Sequence, residues 1–263
     1  MTTDVVVHAD PQVLAQAVAA RLLVALVDAQ ATRGEASVVL TGGGVATEIY
    51  RAVAASPVRH AVDWSRVTLW WGDERFLPAG DEQRNETQAR AALGPLLATA
   101  TVHPMPAADG PDGDDPEAAA ARYARQLAGA GHPAGLPHFD LLLLGIGEDG
   151  HVASIFPEHP EASETRPVCA VRGSPKPPPT RLSLSLPAIN TAEQVWLVAA
   201  GPAKAGAVEL AFSGAGPVQV PAAGVRGVDR TLWLLDRAAA ARAGPRLRPS
   251  AEAAGDPEPG FRP

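Results

Sequence analysis

His151 is the residue of this chain whose chemistry is easiest to name. It closes a stretch, FDLLLLGIGEDGHVASIFP over residues 139–157, in which four leucines give way to Gly145, Gly147 and Gly150 and to the carboxylates Glu148 and Asp149. Imidazole is the side chain that takes up and releases a proton near neutral pH. A carboxylate two residues before it can orient the ring or bind a hydroxyl, so His151 with Asp149 reads as a general base and its partner. Glycines just past a buried strand let the backbone turn sharply and approach a ligand.

Three other clusters carry types that suit an anionic, hydroxyl-rich ligand. Gly42, Gly43 and Gly44 follow an apolar run and precede a helical one, so their N–H groups can cradle a phosphate. No Gly-Lys-Ser/Thr follows, so this is not a Walker A loop. Asp73, Glu74 and Arg75, with Asn85 beyond, supply hydroxyl acceptors and a bidentate anion donor. Lys204 sits in a predicted first helical turn, where a cation is disfavoured unless an anion is near. Each cluster alone is equally a tight turn, a structural ion pair or a solvated lysine.

The elements that must hold these residues alternate. Apolar runs predict strands over 5–9, 37–40, 67–71, 141–144, 167–171, 181–186, 195–199 and 232–235. Helical spacing falls over 13–27, with Asp10-Pro11 as its start, and over 47–55, 85–97, 117–127 and from Gly201 to Phe212. Alternation of this kind predicts an α/β fold: a doubly wound, mostly parallel sheet with helices on both faces. The four clusters each follow a strand and can share one sheet edge, where such sheets keep their chemistry. Residues 107–116 read as a loop, and 174–179, SPKPPP, as a stiff extended segment.

Composition narrows the classes. A 263-residue chain that is 46% hydrophobic and 19% charged fits one α/β domain over 1–240, with 241–263 expected to be a disordered tail. The net charge of -7 argues against a broad nucleic-acid or anionic-membrane surface, while leaving room for a local cationic pocket. Cys169 is the single cysteine, which suits a reducing compartment. No secretory leader is visible in MTTDVVVHADPQ, and no uncharged apolar run approaches the ~18 residues of a membrane span. A cytoplasmic protein, monomer or small homo-oligomer, is expected.

Several motifs together resemble a known family. TGGG with Tyr50 following, WGDERFLP with Asn85, FDLLLLGIGEDGHVASIFP, KPPPTRLSLSLPAI and GPAK are similar to 6-phosphogluconolactonases of the glucosamine-6-phosphate isomerase/6-phosphogluconolactonase family, across residues 37–235. The resemblance implies a fold of the glucosamine-6-phosphate deaminase/ribose-5-phosphate isomerase type. It also implies hydrolysis of 6-phospho-D-glucono-1,5-lactone in the pentose phosphate pathway, with neither metal nor cofactor. His151 would match the general base, and Asp149 would orient it or bind a sugar hydroxyl. Arg75, Lys204 and Arg181 would meet phosphate and developing charge, Gly42, Gly43 and Gly44 would donate N–H groups, and Asp73 and Asn85 would shape the pocket. Two positions depart from the family pattern: Val45-Ala46 carries no hydroxyl, and Arg84 stands where serine is common.

Other readings compete. GIGEDG satisfies a dinucleotide fingerprint formally, but Pro157 and Pro160 cut off the helix it needs and no acid ends a second strand at the right distance. A deaminase/isomerase of the same family needs a glutamate five residues past the histidine, where Phe156 stands. A sugar-phosphate sensor would have little use for an intact base. A metal-dependent hydrolase could draw on Asp73, Glu74, Asp149 and His151. A serine hydrolase lacks its G-x-S-x-G elbow.

Overall fold

Asp10 begins the first long helix as its type predicts: its carboxylate accepts the Val13 N–H at 2.8 Å, and Pro11 takes the first turn. In the computed structural model, which describes residues 2–131 and 135–244, this helix is α1 (Pro11–Arg33). Gly34 stops it in the left-handed conformation, φ 84°. α1 is long and apolar enough to cross a membrane by length and composition, though Arg21 and Asp28 interrupt its apolar run. The side bearing Leu14, Val18, Leu22 and Leu26 is instead buried in the protein core.

The main sheet contains β1 (Thr2–His8), β2 (Ala36–Leu40), β3 (Val67–Trp71), β5 (Thr101–Val102), β6 (Leu141–Gly145), β9 (Gln194–Ala199) and β10 (Arg230–Asp236). Its seven strands run in the order β1-β10-β9-β6-β2-β3-β5, and every pairing is parallel. Strands buried on both faces need no polar alternation, which is why Leu141–Leu144 is uninterrupted leucine. Chain order reverses between β2 and β6, so the loops after these two strands diverge and open a crevice. Both loops are glycine-rich ones singled out above.

A second sheet was not foreseen. β4 (Asp73–Arg75), β8 (Arg181–Leu184) and β7 (Val168–Val171) form three antiparallel strands, with Arg75 opposite Arg181. The alternating polar residues of 181–186 are therefore not solvent-facing: Arg181, Ser183 and Ser185 are all buried. Leu184 N–H donates to the Gly72 carbonyl at 2.8 Å, which stitches this small sheet to the end of β3.

The helices follow the predictions apart from two ends. α2 (Gly44–Ala55) and α4 (Pro116–Ala130) lie where helical spacing placed them, whereas α6 (Ala205–Ala211) starts later than expected, after a tight turn over Pro202–Lys204. α3 (Asn85–Leu93) is shorter than expected, because Gly94 adopts φ 56° ahead of Pro95 and residues 94–98 continue as a tighter turn. A short α5 (Leu186–Ile189) follows β8, and α7 (Arg237–Ala240) follows β10. The expected tail began at 241, yet Ala243 is buried against the core; residues 245–263 lie outside the described residues.

Candidate active site

The crevice between β2 and β6 holds a pocket of about 320 Å³. Gly42, Gly43, Gly44, Asp73, Arg75, Asn85, His151, Arg181 and Lys204 all line it. Loops separated by up to 160 residues thus meet as the strand-end pattern predicts. Asp149 does not line the cavity; it stands behind His151.

Asp149 Oδ1 lies 2.5 Å from His151 Nδ1 and accepts the His151 N–H at 3.3 Å. This bond commits Nδ1, so Nε2 is the ring nitrogen left for chemistry. The ring leans on Phe156 at 4.6 Å between centroids, and its side chain is 16% exposed. Half-burial raises the Asp149 pKa, but the bond and charge of His151, the peptide N–H and Lys176 outweigh it and hold the carboxyl well below the usual range. Asp149 is a fixed anion behind the ring. A Cβ on Gly147 would come within 1.9 Å of Nδ1 and 2.4 Å of Asp149 Oδ1, so only glycine leaves room for the pair.

The glycine loop is pinned from behind. The Tyr50 hydroxyl accepts the Thr41 N–H at 3.0 Å and donates to the Thr41 carbonyl at 2.8 Å. Gly43 turns into α2 at φ 99°, and no side chain caps the helix, so its first N–H groups remain available beside the pocket. Gly42 faces Asn85, whose Oδ1 sits where a Cβ would be. Asn85 Nδ2 in turn donates to the Asp73 carbonyl at 2.8 Å and to its Oδ1 at 3.2 Å. Asp73 Oδ2 accepts from Ser154 Oγ at 2.7 Å, and Ser183 Oγ accepts the Ser154 N–H at 3.2 Å. The two serines are a buried support that no motif signalled.

Glu74 departs from its expected role as a hydroxyl or metal acceptor. It is fully buried and accepts the N–H groups of Arg75, Asn85 and Glu86 at 2.9, 2.6 and 2.9 Å. Burial pushes its pKa up to about 7 against the opposing Arg84 and these donors. Arg84, 3.7 Å from Glu74, also donates to the carbonyls of Leu77 and Met105. The unusual residue before Asn85 is therefore a buried tie between β4 and the following loop. Among the described residues, three metal-type donors converge only at His138, Asp140 and Glu193, where Arg33 ion-pairs with both acids.

The cations are not equivalent. Arg75 Nη1 donates to the Gln83 carbonyl at 2.6 Å. Arg181, whose pKa burial lowers, donates to the carbonyls of Lys176, Pro177 and Pro178 at 3.0, 3.1 and 3.2 Å and lies over the Phe156 ring. It braces the proline segment. Lys204 ends a tight turn ahead of α6; burial lowers its pKa, Glu148 and Asp149 oppose that, and Lys176 adds to it. Lys176 also lines the pocket; the sequence shows it opening the KPPPTRLSLSLPAI motif but gave it no place in the site.

A doubly wound α/β sheet with an acid-oriented histidine and a cation-lined crevice at its switch point defines an enzyme for small anionic, hydroxyl-bearing substrates. The sequence matches the family described as glucosamine-6-phosphate isomerases/6-phosphogluconolactonase over residues 9–233, and the chain belongs to this family. It is 58% identical to a 6-phosphogluconolactonase of Streptomyces coelicolor over 96% of this chain and 99% of that protein. It is 47% identical to one of Mycobacterium tuberculosis, over 92% and 99% respectively. The solved 6-phosphogluconolactonase of Trypanosoma brucei superposes with a TM-score of 0.77 at 27% identity, covering 91% of this chain and 98% of the other. A monomeric glucosamine-6-phosphate deaminase shares the fold at TM-score 0.73 and 22% identity, over 91% and 99%.

Proposed function

We propose that this protein hydrolyses 6-phospho-D-glucono-1,5-lactone to 6-phospho-D-gluconate, a step of the pentose phosphate pathway, with His151 as the general base. The observation that carries this reading is the Asp149–His151 pair, bonded at 2.5 Å, at the wall of a pocket that four cations line. Asp149 keeps the ring in place with Nε2 toward the substrate. A water gives its proton to Nε2 as its oxygen attacks the lactone carbonyl carbon. The ring C–O bond then breaks, and the ring oxygen takes the proton from Nε2. A δ-lactone is a reactive ester, so a positioned base and charge stabilisation suffice. The α2 N-terminus, Gly42, Gly43, Gly44, Arg75 and Lys204 offer the donors for the phosphate. Asp73 and Asn85 form the floor that holds the glycine loop.

The deaminase reading needs a second proton-transfer group five residues past His151. Phe156 fills that position, fully buried against the imidazole. Glu158 is exposed at φ 60° and does not line the pocket. The close relatives named above favour the lactonase as well. The test is hydrolysis of lactone generated in place from glucose 6-phosphate, with product read by a coupled oxidation. His151→Ala should lose ~10²–10⁴-fold in catalysed rate while still binding 6-phosphogluconate. A variant as fast as wild type would remove His151 as the base.

A further inference from the structure

We propose that Lys176 is the cation at the carbonyl end of the substrate, stabilising the alkoxide formed on water attack and then the product carboxylate. This rests on the lactonase reading above and gives a role to the lysine that opens the KPPPTRLSLSLPAI motif.

Position supports it first. Lys176 Nζ lies 4.0 Å from Asp149 Oδ1, the same oxygen that holds His151 Nδ1 at 2.5 Å. The ammonium and the base therefore share one neighbour, and both line the pocket. The bond that changes lies beside the base, and Lys176 lines the same pocket as that base.

The backbone under Lys176 is fixed. Its carbonyl accepts from Arg181 Nη2 at 3.0 Å and from Ser174 Oγ at 2.9 Å, and its N–H donates to Ser174 Oγ at 3.3 Å. Ser174 N–H closes the segment onto the Pro179 carbonyl at 2.9 Å. The side chain itself stays 43% exposed. A braced backbone with an unburied ammonium suits a group that must be present when charge develops.

Charge divides the cations between the two ends of the lactone. A permanent phosphate dianion beside Lys176 would face the Asp149 carboxylate, 4.0 Å from the ammonium. A single charge that appears on the carbonyl oxygen needs only one ammonium to offset it. The glycine loop and the α2 N-terminus, which carry no acid, are the better seat for the phosphate. That leaves Lys176 for the other end.

The step balances. Water loses a proton to His151 Nε2 while its oxygen bonds to the carbonyl carbon. The carbonyl π pair moves to oxygen, giving an alkoxide against the Lys176 ammonium. The pair returns, the bond to the ring oxygen breaks, and that oxygen takes the proton from Nε2. The new carboxylic acid ionises to solvent, and its carboxylate rests on Lys176 until release.

The experiment compares wild type, Lys176→Met and Lys176→Arg in two assays. In the first, Lys176→Met should lower kcat for the phosphorylated lactone ~10²-fold, as loss of one oxyanion donor does, and Lys176→Arg should recover part of it. In the second, calorimetry with 6-phosphogluconate and with glucitol 6-phosphate separates the ends, because the latter keeps the phosphate but has a hydroxymethyl group for the carboxylate. Lys176→Met should weaken 6-phosphogluconate about 10-fold or more, the worth of a charge-assisted bond, and leave glucitol 6-phosphate unchanged. Equal weakening of both ligands would assign Lys176 to the phosphate, and an unchanged kcat would remove it from the chemistry; either overturns the proposal. A wild-type protein inert on the lactone would overturn the function first, and this role with it.

Discussion

Gly147→Ala tests whether the rate depends on where the Asp149–His151 pair is held. Gly147 is not among the glycines in the left-handed region, so its backbone accepts alanine without strain. The obstacle is space: the new Cβ would stand 1.9 Å from His151 Nδ1, 2.2 Å from Cε1 and 2.4 Å from Asp149 Oδ1. Non-bonded atoms settle at about 3.5–4.0 Å, so the ring must retreat by roughly 1.5 Å or turn away. A misplacement of about 1 Å can cost ~10²-fold, which is close to 2.7 kcal/mol in the barrier. We expect kcat for the lactone to fall at least that far, toward the His151→Ala floor, while calorimetric affinity for 6-phosphogluconate stays within a few-fold. Gly129→Ala is the internal control. It lies in α4, its Cβ would meet nothing within 4 Å, and the change should leave kcat alone while adding up to ~1 kcal/mol of helix stability. A Gly147→Ala enzyme with wild-type kcat would refute the argument that the turn exists to position the pair.

Two further outcomes follow from the carboxylates Asp149 and Glu74. Asp149→Asn keeps the shape but removes the fixed anion behind the ring, and kcat should drop ~10²-fold or more by analogy with the loss of an orienting aspartate; steady-state kinetics within twofold of wild type would show that the charge is idle. Glu74 ionises at about 7 when folded against an ordinary 4.5, so its contribution to stability is complete below 4.5 and is lost as pH rises through about 7. The difference amounts to about 3 kcal/mol. Denaturant unfolding between pH 5 and 8 should therefore show Glu74→Gln with a flatter pH dependence than wild type. Parallel slopes for the two proteins would discard the linkage, whatever their absolute stabilities.

Much of the site was legible because its residues cluster at the ends of apolar runs. The parallel sheet could be read from Leu141–Leu144 and its counterparts, since only strands covered on both faces tolerate unbroken aliphatic sequence. The end of α3 was not, because a local Gly94-Pro95 break overrode helical spacing on either side of it. The antiparallel sheet was equally hidden. β4 is three residues long and pairs with a strand more than a hundred positions away, a contact with no local signature.

Sequence alone determined the acid–histidine turn, the glycine loop and three of the four pocket cations, because each lies in a short motif whose residue types limit its chemistry. Tertiary structure decided what each group is free to do. Arg181, a cation for phosphate by motif, spends its donors on the carbonyls of the proline segment. Glu74, an acceptor by type, is buried holding three backbone N–H groups. Lys176, given no site role by its motif, is delivered to the side of Asp149. The physical reason is shared: a side chain's role depends on which partners desolvate and occupy it, and those partners come from strands that meet only when the sheet closes.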